Sequence, residues 1–265
     1  MLKCKPRAMR GLTLIELMLA ILLSTVVVLG GMNLYLSVVQ SCADVCERNN
    51  LNDELRSLMG LMVRDIRRAG AWGIDVDPDN PANVWDNDNA VWANPFMTEE
   101  LDLQVGAMTG QPENTCILFA YDYNSDGAVG EMDAFSPFNE RFGFRLNGAV
   151  LEAYDGGTAF SCDEGSWVTV NSPLIRVDRL QFVLTETCIY TPLDPENPVD
   201  PANPDSLVNR ESVDCELASV EYLQSVRRVA IDLEGSLSDR PEARAILHSS
   251  VKVRNDKVVV FDDGE

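Results

Sequence analysis

The 265 residues carry 42 Asp and Glu against 21 Lys and Arg, a formal net charge of −21. A surface this acidic repels nucleic acid phosphates, which argues against a nucleic-acid partner and leaves cation binding or plain solubility. The length suits one membrane helix plus one globular domain and leaves no room for a second independent core.

The chain opens on a short basic leader, residues 1–11, with Lys3, Lys5, Arg7 and Arg10 ahead of Gly11. The apolar run Leu12–Val39 follows, with Glu16 as its only charged side chain. As a helix it reaches about 42 Å, longer than a hydrocarbon core of roughly 30 Å. A secretory signal peptide would hold only about 7–15 apolar residues and end at a small-x-small site. Gly30-Gly31 interrupts the run as a hinge or as tolerated packing. Glu16 is the residue that needs explaining, since a charge at the bilayer centre costs about 2.5–3.5 kcal/mol and calls for a partner. The amine freed by cutting the chain between Gly11 and Leu12 would supply one. A basic leader ending in Gly, a hydrophobic residue and then Glu at the fifth mature position resembles the processing and methylation motif of type IV prepilins and type II secretion pseudopilins. The resemblance implies cleavage between Gly11 and Leu12, N-methylation at Leu12, and an assembly role for Glu16. Leu12 stands where Phe is usual in that motif.

Removing the leader takes four of the 21 basic residues, leaving 17 against 42 acids, so the side-chain charge falls from −21 to −25. Positive charge ahead of the span places the N-terminus in the cytoplasm and the C-terminal domain on the exported side of an inner membrane. The expected organisation is a cleaved leader (1–11), the transmembrane half of a long helix (12–40), its amphipathic half (41–70), and an exported β-rich domain (71–265).

Beyond Gln40 the helical pattern becomes amphipathic. Leu51, Leu55, Leu58, Met59, Met62, Ile66 and Ala69 fall on one face, with Asp53, Glu54, Arg56, Arg64, Arg67 and Arg68 opposite, and Gly70 and Gly73 stop the helix. Residues 74–109 read as a long irregular loop with an aromatic cluster from Trp72, Trp85 and Trp92. Strands are expected at 116–121, 141–146, 150–154, 167–170, 180–187, 226–233, 251–254 and 257–261. Asn147-Gly148 and Asn255-Asp256 sit where two-residue hairpin turns should be. The fold class is therefore α+β: a long N-terminal helix packed on an antiparallel sheet.

Two features narrow the resemblance. The helix end Val63-Arg64-Asp65-Ile66-Arg67-Arg68-Ala69-Gly70 with Trp72-Gly73 is similar to the PilW family of minor pilins. So are the strands Cys116-Ile117-Leu118-Phe119-Ala120-Tyr121-Asp122 and Val251-Lys252-Val253-Arg254-Asn255. That resemblance implies a low-copy subunit that helps start or cap a type IV pilus. Its implied partners are prepilin peptidase, other minor and major pilins, the inner-membrane assembly platform and a tip adhesin. A minor pseudopilin of type II secretion would share the fold. A membrane-tethered, calcium-binding adhesive module is the alternative from another class.

Six cysteines remain after the leader, with no metal-ligand spacing, and an exported domain is oxidised, so disulfides are expected. Cys116, Cys162, Cys188 and Cys215 are the candidates. Cys42 and Cys46, one turn apart, have three open fates: a strained bond to each other, a bond to another subunit, or free thiols. The insert 191–206 repeats Pro every third residue from Pro192 to Pro204, the polyproline II period, and Cys188 and Cys215 flank it. It reads as a partner-binding arm or a tolerated insertion.

Asp122, Asn124, Asp126, Gly127 and Asp133 occupy positions 1, 3, 5, 6 and 12 of an EF-hand-like loop, a set of oxygen ligands suited to Ca2+. Asn, Asp and Gly also build acidic hairpin turns without a cation. No catalytic motif occurs, the single histidine His248 reads as a partly buried structural residue, and no enzymatic activity is expected.

Overall fold

The computed structural model describes residues 13–73, 94–127, 129–130, 139–157, 159–192, 210–212 and 220–260. The chain divides into two units, Met1–Asn50 and Leu51–Glu265. One helix, α1 (Leu14–Ile66), begins in the first and ends in the second. In the first unit its apolar side chains from Leu14 to Val39 lie exposed, and the helix is long and apolar enough to cross a membrane. It is the candidate membrane anchor. Exposure of that kind is unstable in water and natural in lipid.

In the second unit the predicted amphipathic face is the buried one: Leu51, Leu55, Leu58, Met59, Met62 and Ile66 enter a single core. Gly70 closes the helix end at φ +68°, a left-handed conformation that a side chain resists, and its N–H donates to Ala120 O at 2.8 Å. Asn255 Nδ2 donates to the terminal carbonyl of Ala69 at 3.2 Å, satisfying a group the helix itself cannot.

The β-structure forms two antiparallel sheets where one was expected. The first runs in the order β1 (Gln104–Gly106), β2 (Cys116–Ala120), β3 (Arg141–Asn147), β4 (Val150–Gly156) and β5 (Ser166–Thr169). The second is built on two 18-residue strands, β6 (Ile175–Pro192) and β8 (Val220–Leu237), with β7 (Arg210–Ser212) beside β6. β9 (Arg244–Lys252) and β10 (Lys257–Val260) both pair with β8. Together with the helix this is the expected α+β class, and the inner faces of both sheets share the core with α1.

Register explains which side chains face inward. In β8 the alternate residues Val229, Ile231 and Leu233 are buried. In β6, Ile175 and Val177 are buried, then Leu180 and Phe182, and the change of phase is made by a bulge between Val177 and Arg179. Without that extra residue the second pair would point outward.

Two expected turns differ in outcome. β3 and β4 form the expected hairpin, but its two-residue turn is Gly148-Ala149 rather than Asn147-Gly148, because Asn147 pairs with Val150. Asn255-Asp256 is no hairpin turn. β9 pairs with residues 228–236 of β8 and β10 continues along the same strand at residues 222–225, so these two residues interrupt one edge. The interruption frees Asn255 to cap the helix. Within the predicted irregular stretch, a 3-10 turn at Pro95–Met97 and strand β1 are found, while Trp85 and Trp92 lie outside the described residues. Trp72 Nε1 donates to Gly127 O at 2.9 Å.

Candidate functional sites

Gly11 and Leu12 lie outside the described residues, and Thr13 is the first residue before α1. The backbone N–H and the hydroxyl of Thr13 each approach Glu16 Oε2 at 2.9 Å, and Glu16 N–H faces Thr13 Oγ1 at 3.4 Å. This is the reciprocal arrangement of a capping box, in which a Thr and a Glu three residues later satisfy each other's backbone donors at a helix start. Glu16 therefore has an intrachain role that its isolation in an apolar run did not suggest. Among the described residues both of the bonds it accepts fall on Oε2. In the same unit Cys42 and Cys46 are exposed and not bonded to each other, so the strained intrachain bond is not formed.

The candidate cation loop follows β2. Asp122 Oδ1 accepts from Ser125 N at 2.6 Å, and Oδ2 accepts from Gly127 N and Gly73 N, each at 2.9 Å. Asn124 Nδ2 donates to Asp126 Oδ2 at 2.6 Å, and Asp126 N donates to Asn124 Oδ1 at 3.0 Å. Asp133 lies outside the described residues. The third carboxylate brought to the loop is Glu140, fully buried, with Oε1 accepting from Tyr123 N at 3.1 Å and Oε2 from Gly130 N at 2.6 Å. Oxygens of Asp122, Asp126 and Glu140 lie within 4.8 Å of one another. That spread suits ligands held about 2.3–2.6 Å from one Ca2+ ion. A carboxylate has about four lone-pair sites, so Asp122 with three N–H donors keeps about one and Glu140 with two keeps about two. The oxygens fit a hard cation, and the same N–H donors hold the turn in its absence.

Glu140 has no place in the loop's sequence frame. It arrives because Ala120 pairs with Arg141, which sets the residue before β3 opposite the residues just after β2. Tyr121 N accordingly donates to Glu140 O at 3.1 Å. Only a knowledge of the strand register would have found it.

Cys116 and Cys162 are bonded, joining β2 to the segment before β5, with Cα atoms 6.1 Å apart. Arg145 reinforces that junction: Nε donates to Glu152 Oε2 and Nη1 to Cys162 O, each at 2.7 Å, and its guanidinium lies 4.3 Å from the Trp167 ring centroid. Cys188 is disulfide-bonded as well, while Cys215 and most of the proline insert lie outside the described residues. His248 corrects its expected partial burial: it stands exposed on β9, with Nδ1 2.6 Å from Asp232 Oδ1. Strand alternation puts it on the outer face, opposite Asp232.

A family model described as prepilin peptidase-dependent protein B matches residues 44–253. The match begins after Gly11, Leu12 and Glu16 and takes in the sheet domain as far as Val253. No curated protein and no solved structure matches the chain.

Proposed function

This chain belongs to the prepilin peptidase-dependent protein B family, and on that premise we propose that it is a minor pilin that takes part in starting and assembling a type IV pilus. Prepilin peptidase cuts between Gly11 and Leu12 and methylates the new Leu12 amine. The mature chain is held by its helix in the inner membrane, its β-rich domain periplasmic, until it joins the fibre. The role is structural rather than catalytic. Its partners are other minor and major pilins and the assembly platform.

The observation that carries this reading is an exposed apolar helix with one carboxylate at its start, on a chain of a family defined by dependence on prepilin peptidase. Apolar helices gain no hydrophobic drive from meeting each other in lipid, so packing and polar contacts must select the arrangement. Glu16 of an incoming subunit pairs with the Leu12 amine of a neighbour, neutralising two charges that lipid makes expensive. The capping contacts to Thr13 occupy Oε2 and leave the direction of Oε1 for that amine. Glu16→Ala is the test: the variant should still be cleaved yet enter pili poorly. Normal incorporation of the variant into isolated fibres would defeat the proposal.

A second reading rests on the three carboxylates around Asp122. Ca2+ held by Asp122, Asp126 and Glu140 would clip the segment after β2 to the one before β3, with affinity in the range of extracellular modules, about 10⁻⁴–10⁻³ M. Calorimetric titration of the full chain with Ca2+, set against the Glu140→Gln variant, tests it. No heat above dilution at millimolar Ca2+ would refute it.

A further inference from the structure

Four arginines of this acidic chain gather at one place. Arg64, Arg67 and Arg68, at and just after the end of α1, meet Arg254 from the interruption between β9 and β10 around a cavity of about 370 Å³, which Gly60 and Val63 also line. Backbone bonds fix the juxtaposition: Arg254 N donates to Arg67 O at 3.0 Å, beside the contact of Asn255 with Ala69. The break in the sheet edge that removed the expected hairpin turn is thus what brings the fourth arginine to the helix.

The cluster is under-neutralised. Among the described residues Arg64 is the one member with a carboxylate, Asp65 Oδ1 at 3.3 Å. The Arg68 guanidinium is held over the Tyr121 ring at 4.3 Å from its centroid. Among the described residues no carboxylate pairs with Arg67, Arg68 or Arg254, although the chain carries 42 acids against 21 bases. Arg67 and Arg254 are exposed. Four guanidinium groups around one cavity repel one another, a cost that the negative end of the helix offsets only in part. Planar N–H forks held in this way match carboxylates, which they can bind through two parallel bonds.

We propose that this pocket is a docking site for a carboxylate-rich segment of a partner protein, whose Asp and Glu side chains enter between Arg67 and Arg254. Charge complementarity selects that occupant. A nucleic acid carries a phosphate at every nucleotide, more negative charge than four guanidinium groups can meet on a chain of net charge −21. Carboxylates that enter between Arg67 and Arg254 meet guanidinium groups on both sides. The inference stands apart from the pairing of Glu16, because its test touches no residue of the membrane half.

The test uses the full chain in neutral-lipid nanodiscs and a fluorescein-labelled peptide of alternating Asp and Glu, read by anisotropy at low and at raised salt. Saturable binding to the wild type should weaken roughly tenfold or more in Arg67→Glu/Arg254→Glu. It should hold in Arg176→Glu/Arg244→Glu, which makes the same change of charge at half-exposed positions elsewhere. Thermal unfolding of each variant checks that the fold is kept. Equal weakening in both variants would overturn the proposal, because general charge would then explain the binding. Displacement of the peptide by inorganic phosphate at matched charge would overturn it in favour of a small-anion site. Self-association of the chain without peptide, lost in Arg67→Glu/Arg254→Glu, would overturn the separate partner in favour of a second copy.

Discussion

Leu55 and Gly235 test how closely the helix approaches the second sheet. Leu55 is fully buried, and a methyl built on Gly235 would meet Leu55 Cδ2 and the backbone oxygen of Arg176, each at 2.9 Å. Leu55→Ala deletes three carbons, roughly 2.4 kcal/mol of transfer energy at about 0.8 kcal/mol each. The cavity left behind raises the cost toward about 5 kcal/mol if the surroundings do not collapse. Gly235→Ala overpacks the same contact and should cost about 1–3 kcal/mol, because the Arg176 oxygen belongs to a paired strand and cannot rotate away. The double variant is the informative one. The methyl added by Gly235→Ala moves into space that the Leu55 methyls vacate, so the double cost should fall below the sum of the two single costs by about 0.5–3 kcal/mol. The contact with Arg176 O persists, which keeps the rescue partial. Equilibrium urea unfolding of the full chain in detergent, followed by tryptophan fluorescence, measures all three with an unchanged m value. Strict additivity, or a Leu55→Ala cost under about 1 kcal/mol, would refute the packing argument.

Burial pushes the Tyr121 hydroxyl up to about 12, with Asp65 adding to the rise and Arg68 opposing it. A neutral phenol is therefore favoured in the folded chain, so its stabilising contribution is complete below the unfolded pKa of about 10 and is lost as pH rises from there toward about 12. Unfolding of Tyr121→Phe measured across that window should depend less steeply on pH than the wild type; identical profiles would contradict the assignment. Removing the Cys116–Cys162 bond, which spans a sequence separation of 46, should destabilise the domain by up to roughly 4 kcal/mol on the loop-entropy account, measured by denaturation of the double Ala variant. Glu54 accepts from Ser172 N at 2.6 Å and from Ser172 Oγ at 2.8 Å, tying the helix to the start of the second sheet. Glu54→Ala should cost about 1–3 kcal/mol by stranding those donors, and Glu54→Gln, which keeps one acceptor, should cost less in the same denaturation assay.

The helix was legible because two patterns coincide on it: a long apolar run, then a stripe from Leu51 to Ala69 at spacings of three and four. β2 was legible because all five of its residues are apolar and buried, and the β3–β4 hairpin because Asn147-Gly148 marks its place to within one residue of the turn. β6 and β8 are far longer than the stretches read for them, since strands of about 5–6 residues are usual and their outer faces carry charges that look like loop. Along β9 only 251–254 shows a strand pattern in the sequence, because the polar and apolar residues Ile246, His248 and Ser250 share one face, which leaves too little contrast along the strand. The split into two sheets, the place of Glu140 and the arginine cluster all follow from strand register. Register is set by which faces meet in the core, and no local pattern records it.

The cleavage and methylation of the N-terminus remain the claim on which the assembly mechanism rests. Intact-mass and N-terminal peptide analysis of the protein recovered from cells tests it most directly. The account requires a mature chain beginning at an N-methylated Leu12, with Met1–Gly11 gone. Recovery of chains that retain those eleven residues, with an unmodified Leu12, would contradict it.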